Sequence, residues 1–328
     1  MNARDKNFTR GKVRTRLEKL NETIARYLTA LDAADRQESM DAPSTSQRLR
    51  EKLVRLKAQM QKLKALEAVV EASPDKQVSL TDPDTRLMVI GDRLTGVVGY
   101  NVQTAVDTEH HLIIAHEVTN QVVDRGQLPK MAAKAKEALG FETIEAIADA
   151  GYYRGGDLIA CRDIGVTALT PRTNTSNAKA QGRFGKEVFV YLADRDAYRC
   201  PAGKMLTRRF ETQEGDLTMF VYWCTACPTC PLKSRCTTAK YRRVRRWEHE
   251  SLVEAMAARM EAIGAMAIRR ETAEHPFSTI KTWMGATHFL CKGLKAVRTE
   301  MSLHVLAYNL RRVITTLGMG RLRSVLAA

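Results

Sequence analysis

The feature that most limits how this chain folds is an acid at the end of a short apolar run. Ile147 and Ala148 end that run, Asp149 follows, and Gly151 comes two residues later. The run predicts a buried strand, and an acid at its carboxyl end projects from the sheet edge where open α/β sheets place their sites. Gly151 permits a sharp turn because it has no Cβ. An aspartate that only caps the next turn explains the pattern equally well.

Strand and helix patterns around this acid predict an α/β core with a mixed sheet. Two runs alternate between apolar and polar residues, four turn-forming residues join them, and helical and strand patterns follow. The predicted elements are strands 99–106 and 112–118, helix 126–139, the strand ending at Asp149, helix 157–164 and strand 166–169. Hairpin, helix, strand, helix and strand in this order are typical of α/β proteins.

Two charged segments near the N-terminus predict an antiparallel helical hairpin. Apolar residues recur every three or four positions between residues 10 and 38 and again between 49 and 70. We expect this hairpin to serve packing or oligomerisation. The chain then divides into a helical hairpin (1–73), the strand half of the core (74–171), a cysteine-rich insertion (172–246) and closing helices (247–328).

The charge of the chain indicates a polyanionic partner. Lys and Arg number 52 against 37 acidic residues, which leaves a net charge of +15 at pH 7. Nucleic acid is the commonest partner of such a protein, although a well-solvated basic surface has the same composition. No apolar run of about 18 residues predicts a membrane span, and the N-terminus does not resemble a signal peptide. We therefore expect a cytoplasmic protein.

A second acid lies between two bases, in the order Arg270, Glu274 and Lys281. On one continuous helix, offsets of four and eleven residues place all three on one face. A solvated ladder of salt bridges has the same spacing. Pro276 favours the first turn of a helix, which would place Arg270 before the helix begins. Together with Asp149, Glu274 offers hard oxygen ligands for the divalent ions of a phosphodiester-cleaving site, and the bases suit phosphate.

Five of the seven cysteines fall between residues 200 and 236. Cysteines in a reducing compartment seldom form disulfides, whereas four thiolates with C-x2-C spacing make a closed zinc site. The preferred ligands are Cys200, Cys227, Cys230 and Cys236, and Cys224 is the competing candidate. Reduced thiols in an insertion without metal are the alternative. If zinc binds here, its role is structural.

A basic run follows the cysteines between Tyr241 and Trp247. Its arginines suit phosphate contact, and the two flanking aromatic residues suit stacking. The same run is compatible with a solvated basic face. The candidate DNA-binding residues in this run are Arg242, Arg243, Arg245 and Arg246.

The chain resembles the DDE transposases of bacterial insertion sequences, in the branch with a cysteine-rich insertion. The resembling segments are RDKNFT (4–9), TDPD (81–84), RLM (86–88), GYNVQTAVD (99–107), ADAGY (148–152), EHPF (274–277), IK (280–281) and E-x2-L-x2-LAYNL (300–310). They cover nearly the whole chain in order. The resemblance implies an RNase H-like fold, Mg²⁺ or Mn²⁺ as cofactor, and DNA cleavage and strand transfer at transposon ends.

The resemblance also assigns roles to single residues. It makes Asp149 the second catalytic acid and Glu274 the third, with Arg270 and Lys281 in the signature around Glu274. Ala267 stands where many relatives have a tyrosine that contacts the DNA end. In relatives the first acid precedes the segment similar to residues 2–9, so we expect its strand upstream of residue 1. The acids that remain as candidates, of which none fits that strand, are Asp82, Asp84, Asp92 and Asp107.

These observations favour a transposase that acts on double-stranded DNA, at the terminal repeats and the target, as a homo-oligomer at the nucleoid. Without the first acid, we expect a truncated copy with reduced or no autonomous activity. The alternative is a non-catalytic DNA-binding remnant or regulator that binds transposon ends or co-assembles with a full-length transposase. A resolvase-like nuclease on the same fold is a third hypothesis.

Overall fold

The computed structural model describes residues 4–36, 42–90, 95–173 and 176–327. Its contacts divide the chain into two compact units, each formed by three segments. The first unit comprises Met1–Gln103, Glu117–Val123 and Ile280–Tyr308. The second comprises Thr104–His116, Asp124–Thr279 and Asn309–Ala328. In the described residues, no helix is long and apolar enough to cross a membrane.

The first unit begins with the two long helices that the apolar periodicity predicts. Its elements are strand β1 (Asn7–Thr9), helices α1 (Arg10–Asp35) and α2 (Ala42–Ala72), and strands β2 (Gln77–Ser79), β3 (Arg86–Ile90) and β4 (Thr95–Gly99). Buried Phe8, Val13 and Val70 pack together where the two helices meet β1. Strand β1 pairs with β2 in antiparallel register, which brings the free ends of the helical hairpin together.

The strand half of the predicted core follows in the expected order. Its elements are β5 (Asn101–Val106), β6 (Ile113–Thr119), α3 (Leu128–Leu139), β7 (Ile144–Ile147), α4 (Gly155–Asp163) and β8 (Val166–Leu169). Strand β5 pairs with β6, and β7 pairs in parallel with β8. Both pairs are separate two-stranded sheets. The described strands therefore do not form the single mixed sheet that an RNase H-like fold implies.

The predicted insertion is a curled antiparallel sheet of five strands in the order β13-β12-β11-β10-β9. Its elements are β9 (Val190–Leu192), β10 (Ala197–Arg199), β11 (Met205–Glu214), β12 (Leu217–Trp223), the short helix α5 (Lys233–Cys236) and β13 (Val244–Trp247). A bulge between Arg208 and Phe210 interrupts the register of β11 and β12. Parallel and antiparallel pairs both occur with helices, so the predicted mixed α/β class is confirmed.

Helices close the chain, as predicted. They are α6 (Glu250–Ile263), α7 (Ala265–Ser278), a π-helical segment (Thr279–Trp283), α8 (Leu294–Leu317) and α9 (Met319–Leu326). In the second unit, Trp247, Val253 and Met256 pack with Leu158 and Leu169 in one apolar cluster. This cluster joins the end of the insertion to the strand that neighbours Asp149.

Asp82 and Asp84 cap the beginning of α8. Asp82 is buried and accepts hydrogen bonds from the Tyr100 hydroxyl (2.7 Å) and the Gly293 amide (3.1 Å). Asp84 accepts one from the Leu294 amide at 2.8 Å. Amide groups at a helix start lack partners within the helix, so carboxylates there are stabilising. The two acids thus have a structural role.

The other two candidates for the first catalytic acid are Asp107 and Asp92. Asp107 closes the predicted hairpin turn, because its carboxylate accepts the His110 amide at 2.6 Å. Asp92 lies outside the described residues.

Glu250, the first residue of α6, is a buried carboxylate with three partners. It is 3% exposed. One oxygen accepts hydrogen bonds from Arg172 and Lys186, and the other accepts one from the Trp247 amide at 3.1 Å. Burial acts to raise the pKa of Glu250, but the Lys186 and Arg172 cations outweigh it and hold the pKa below its usual value. The carboxylate is therefore ionised at pH 7.

We predict that Glu250→Gln lowers the free energy of unfolding at pH 7 by about 2–3 kcal/mol, because two cations lose their buried partner. The loss should shrink as the pH falls through the folded-state pKa, which lies below 4.5, since the wild-type carboxyl is then neutral as well. Urea unfolding at pH 7 and at pH 3.5 measures both effects. The control is Glu248→Gln on the exposed surface, for which we expect a change under about 0.5 kcal/mol. Equal losses in the two variants would contradict the assignment.

Candidate functional site

Asp149 lies where the sequence predicts it, just beyond the carboxyl end of β7. The Ala148 amide donates to the Leu169 carbonyl (2.9 Å), which prolongs the pairing with β8, and the Thr170 hydroxyl donates to the Asp149 carbonyl (2.7 Å). The Asp149 side chain caps a short 3-10 turn by accepting the Gly151 amide at 2.8 Å. The sequence allows two interpretations of Asp149, an acid at the end of a strand or a cap of the next turn, and both are correct. Asp149 is therefore held at a sheet edge with its side chain 39% exposed.

A second carboxylate that sequence reasoning missed lies beside Asp149. A Cβ built on Gly151 would stand 3.0 Å from Asp149 Oδ1 and 3.4 Å from Asp124 Oδ2, so both acids face the bare Cα of this glycine. The loop that carries Asp124 is held by buried Asp157, which accepts the Gly126 amide at 2.7 Å. Asp124 lies in a loop without a strand pattern, and nothing in the sequence indicates that it comes close to Asp149.

The cation nearest to Asp149 is Arg269. Its Nη2 donates to Asp149 Oδ2 at 3.0 Å, so each carboxylate oxygen has one protein donor. Arg269 is 27% exposed, which makes this ion pair partly shielded from water. The four-residue spacing to Glu274 instead favours the neighbouring Arg270 as the cation of the site. The pair of Arg269 with Asp149 joins residues 120 positions apart, a contact that no local pattern reveals.

Glu274 lies on the exposed face of α7, together with Arg270. These two residues are four positions apart and share a side of the helix, whereas Glu274 and Arg269 point about 140° apart. The buried face of α7 contains Ala265, Thr272 and Pro276. The structure thus brings Arg269 to Asp149 and leaves Glu274 on the surface of the same helix. In the described part of the chain, no three His, Cys, Asp or Glu side chains are arranged to hold a metal ion.

The expected common face of Arg270, Glu274 and Lys281 is not formed by one continuous α-helix. Helix α7 ends at Ser278, and Lys281 lies in the π-helical segment that follows, in the first unit. A π-helix has a wider turn, so the eleven-residue offset loses its meaning. The inference from Pro276 was also wrong: this proline lies inside α7, and Arg270 is therefore helical.

The four arginines of the predicted basic run differ in their surroundings. Arg246 is 8% exposed and makes a bidentate pair with Glu254 (2.5 and 3.0 Å). Arg245 is exposed and pairs with Glu214. Arg242 donates to the Cys236 carbonyl at 3.3 Å. Arg243 is exposed and has its guanidinium 5.6 Å from the centroid of an aromatic ring, that of Trp223. Alternation along β13 explains the difference between Arg245 and Arg246, because successive strand residues point to opposite faces.

The five clustered cysteines converge on one small cavity of about 30 Å³. The Cys-Pro-Ala-Gly turn after β10 is formed as expected: the Cys200 amide donates to the Lys204 carbonyl (2.9 Å), and Gly203 has a φ of 72°. The closest pair of sulfurs is that of Cys224 and Cys227, 3.6 Å apart. The residues around the cavity include Cys200, Cys224, Cys227, Cys230 and Cys236.

We call this cavity the thiol cavity. Its cysteine side chains are suitable zinc ligands, but only one pair of sulfurs has the spacing of a zinc site. Sulfurs bound 2.3 Å from one tetrahedral Zn²⁺ are about 3.8 Å apart, close to the separation of Cys224 and Cys227. No third thiol in the described residues completes a metal-binding arrangement with them. Burial and the neighbouring Cys227 raise the pKa of Cys224 to about 11. Cys224 therefore remains a candidate ligand beside the preferred four.

Comparison with known proteins gives one match, which covers the C-terminal part of the chain. Residues 199–314 match the family model described as a transposase DDE domain. The matched stretch contains the cysteine cluster and Glu274, and Asp149 precedes it. The resemblance to DDE transposases of insertion sequences is thereby confirmed. Among curated proteins and among solved structures, no significant match is found.

Proposed function

We propose that this chain works in the transposition of an insertion sequence, by divalent-metal-dependent cleavage and strand transfer at the ends of the element. The observation that carries the proposal is the position of the Asp149 carboxylate, which faces Gly151 together with Asp124 at the carboxyl edge of the parallel pair β7 and β8. Open α/β sheets place their sites at this edge. The family match supports the same chemistry.

The residues of the site have distinct tasks in this proposal. Asp149 and Glu274 are the metal ligands, and Arg270 and Lys281 contact DNA phosphates. Bound Mg²⁺ or Mn²⁺ would activate the attacking oxygen and stabilise the leaving one. The Gly151 amide orients the Asp149 carboxylate, and Arg269 neutralises it in the absence of a divalent ion. Hard carboxylate oxygens on a rigid turn match the preference of Mg²⁺.

We expect the purified chain with Mg²⁺ or Mn²⁺ to nick DNA that spans the ends of the element encoding it. Asp149→Asn and Glu274→Gln should each reduce the nicking rate by at least about 100-fold, because each removes a proposed ligand. Neither should change the affinity for the same DNA by more than about threefold. Glu271→Gln, on the same exposed helix, is the matched control and should cleave normally. A gel assay with end-labelled DNA gives the rates.

One observation favours a second candidate function, a DNA-binding protein that does not cut. Both oxygens of Asp149 already have protein donors, and Glu274 lies on the exposed side of α7. Such a protein would bind transposon ends or co-assemble with an active transposase. In the cleavage assay it would bind the DNA and never nick it with either ion. That result would overturn the first proposal.

Removal of the Arg269 cation tests the metal role of Asp149 without any cleavage. We predict that Arg269→Met strengthens Mn²⁺ binding by about fivefold to tenfold, since a competing positive charge 3.0 Å away is lost. Electron paramagnetic resonance of free Mn²⁺ measures the affinity. Arg259→Met is the control, because Arg259 pairs with Glu145 on the surface. A double variant with Asp149→Asn should lose the gain, and retention of the gain would show that Asp149 is not the ligand.

We further propose that the thiol cavity holds one structural Zn²⁺ and that the chain acts as a homo-oligomer on double-stranded DNA at the nucleoid. The convergence of five cysteines on one cavity supports the zinc proposal. The net charge of +15 and the family match support DNA as the partner.

We expect about one Zn²⁺ per chain by metal analysis of protein purified without chelator. Cys227→Ser should abolish it and lower the melting temperature, because a structural zinc site contributes directly to folding. Cys291→Ser, at an exposed thiol away from the cavity, should leave the content unchanged. Comparison of Cys224→Ser with Cys227→Ser shows which of these two cysteines is a ligand. Absence of zinc in the wild-type protein would refute the site.

A further inference from the structure

The cations of the five-stranded sheet fall into two groups. Three have carboxylate partners: Arg208 pairs with Glu211 and Asp196, Arg245 with Glu214, and Arg246 with Glu254. Within the residues that the structure describes, several other cations in or beside the sheet have no carboxylate at ion-pair distance, and three of them, Arg209, Lys240 and Arg243, lie close to the rings of Trp223 and Tyr241. Charge is therefore left unbalanced at one part of the sheet.

The three unbalanced cations surround a group of aromatic rings. The guanidiniums of Arg209 and Arg243 each lie 5.6 Å from the ring centroid of Trp223. Lys240 Nζ lies 5.3 Å from the ring centroid of Tyr241. The Trp223 and Tyr241 rings are nearly parallel, with 20° between their planes and 6.5 Å between their centroids.

Phe210 completes this group. It is 44% exposed, and its ring meets that of Trp223 edge-on at 5.6 Å. We call the group the Trp223 surface, and its members are Arg209, Phe210, Trp223, Lys240, Tyr241 and Arg243. Trp223 and Tyr241 are half-buried. Aromatic rings that reach the surface among cations without carboxylate partners are unusual on a sheet, because contact with a neighbouring ring satisfies only part of the charge.

We propose that the Trp223 surface binds an unpaired DNA strand, with bases stacked on Trp223 and Tyr241 and phosphates on the three cations. Single-strand binding proteins combine the same two features, a basic track and aromatic platforms. In a duplex the phosphates are accessible, but the faces of the bases are stacked on one another. A duplex would therefore contact the cations and not the aromatic rings. The aromatic rings therefore favour an unpaired DNA strand over a duplex.

The proposal extends the DNA-binding role and does not depend on the metal chemistry of Asp149. DNA processing at the ends of an element exposes unpaired strands, and this surface would hold one of them. If cleavage fails while strand binding by this surface persists, only the proposed catalytic function is refuted. The two proposals can therefore be tested separately.

Affinity for a fluorescent 12-nucleotide oligothymidine and for a hairpin duplex of similar length tests the proposal by anisotropy. Trp223→Ala should weaken single-strand binding by about tenfold, as expected for the loss of one stacked base. It should change duplex binding by less than about twofold. Arg243→Ala should weaken single-strand binding and reduce its salt dependence. Trp223→Phe, which keeps an aromatic ring, should retain most of the single-strand affinity. This control shows that β12 tolerates substitution at this position.

Arg208→Ala is the matched control, since Arg208 lies next to Arg209 in the same sheet and pairs with Glu211. It should change single-strand affinity by less than about twofold. Direct contact has its own readout in a Trp283→Phe background, where oligothymidine should quench tryptophan fluorescence through Trp223 and not through buried Trp247. Quenching should then disappear in Trp223→Phe.

Three results would overturn the proposal. One is an equal effect of Trp223→Ala on single strand and duplex, which would indicate a duplex-binding surface. Another is an equal effect of Arg243→Ala and Arg208→Ala, which would indicate a general contribution of charge. The third is unchanged binding in all variants, which would place the DNA strand elsewhere on the protein.

Discussion

The buried carboxylate of Glu250 is the constraint on which the second unit depends. It bonds to Arg172, which follows β8, to Lys186, which precedes β9, and to the backbone of Trp247 at the end of β13. The start and the end of the five-stranded insertion are thus held by one side chain at the first turn of α6. Because an unpaired charge in this position is costly, the three segments are ordered together. The sheet is thereby fixed to the part of the chain that carries Asp149.

Local patterns predicted much of the architecture. The apolar periodicity located α1 and α2, and the apolar run before Asp149 located β7 and the turn after it. The spacing of cysteines predicted their convergence on one cavity. The helices and β7 depend on residues that are neighbours in sequence. The cysteines lie within one short segment, so few arrangements of that segment keep them apart. Periodicity and turn chemistry act over such short distances.

Contacts between distant segments could not be predicted in the same way. Arg269 and Arg270 are equivalent in a spacing argument, and only the packing of α7 on β7 selects Arg269 for Asp149. Likewise, Arg245 and Arg246 are equivalent in the sequence of the basic run, but β13 turns them to opposite faces. The interpretation of Pro276 was wrong because the preference of proline for the first turn is only a local tendency, and Pro276 lies inside α7.

The order of residues at the end of β12 links two parts of the molecule. Trp223, the centre of the aromatic surface, is joined by one peptide bond to Cys224, whose sulfur lines the thiol cavity. One short stretch of backbone therefore positions both the indole ring and the thiol. A substitution that shifts the end of β12 would displace the Trp223 surface and the lining of the thiol cavity together.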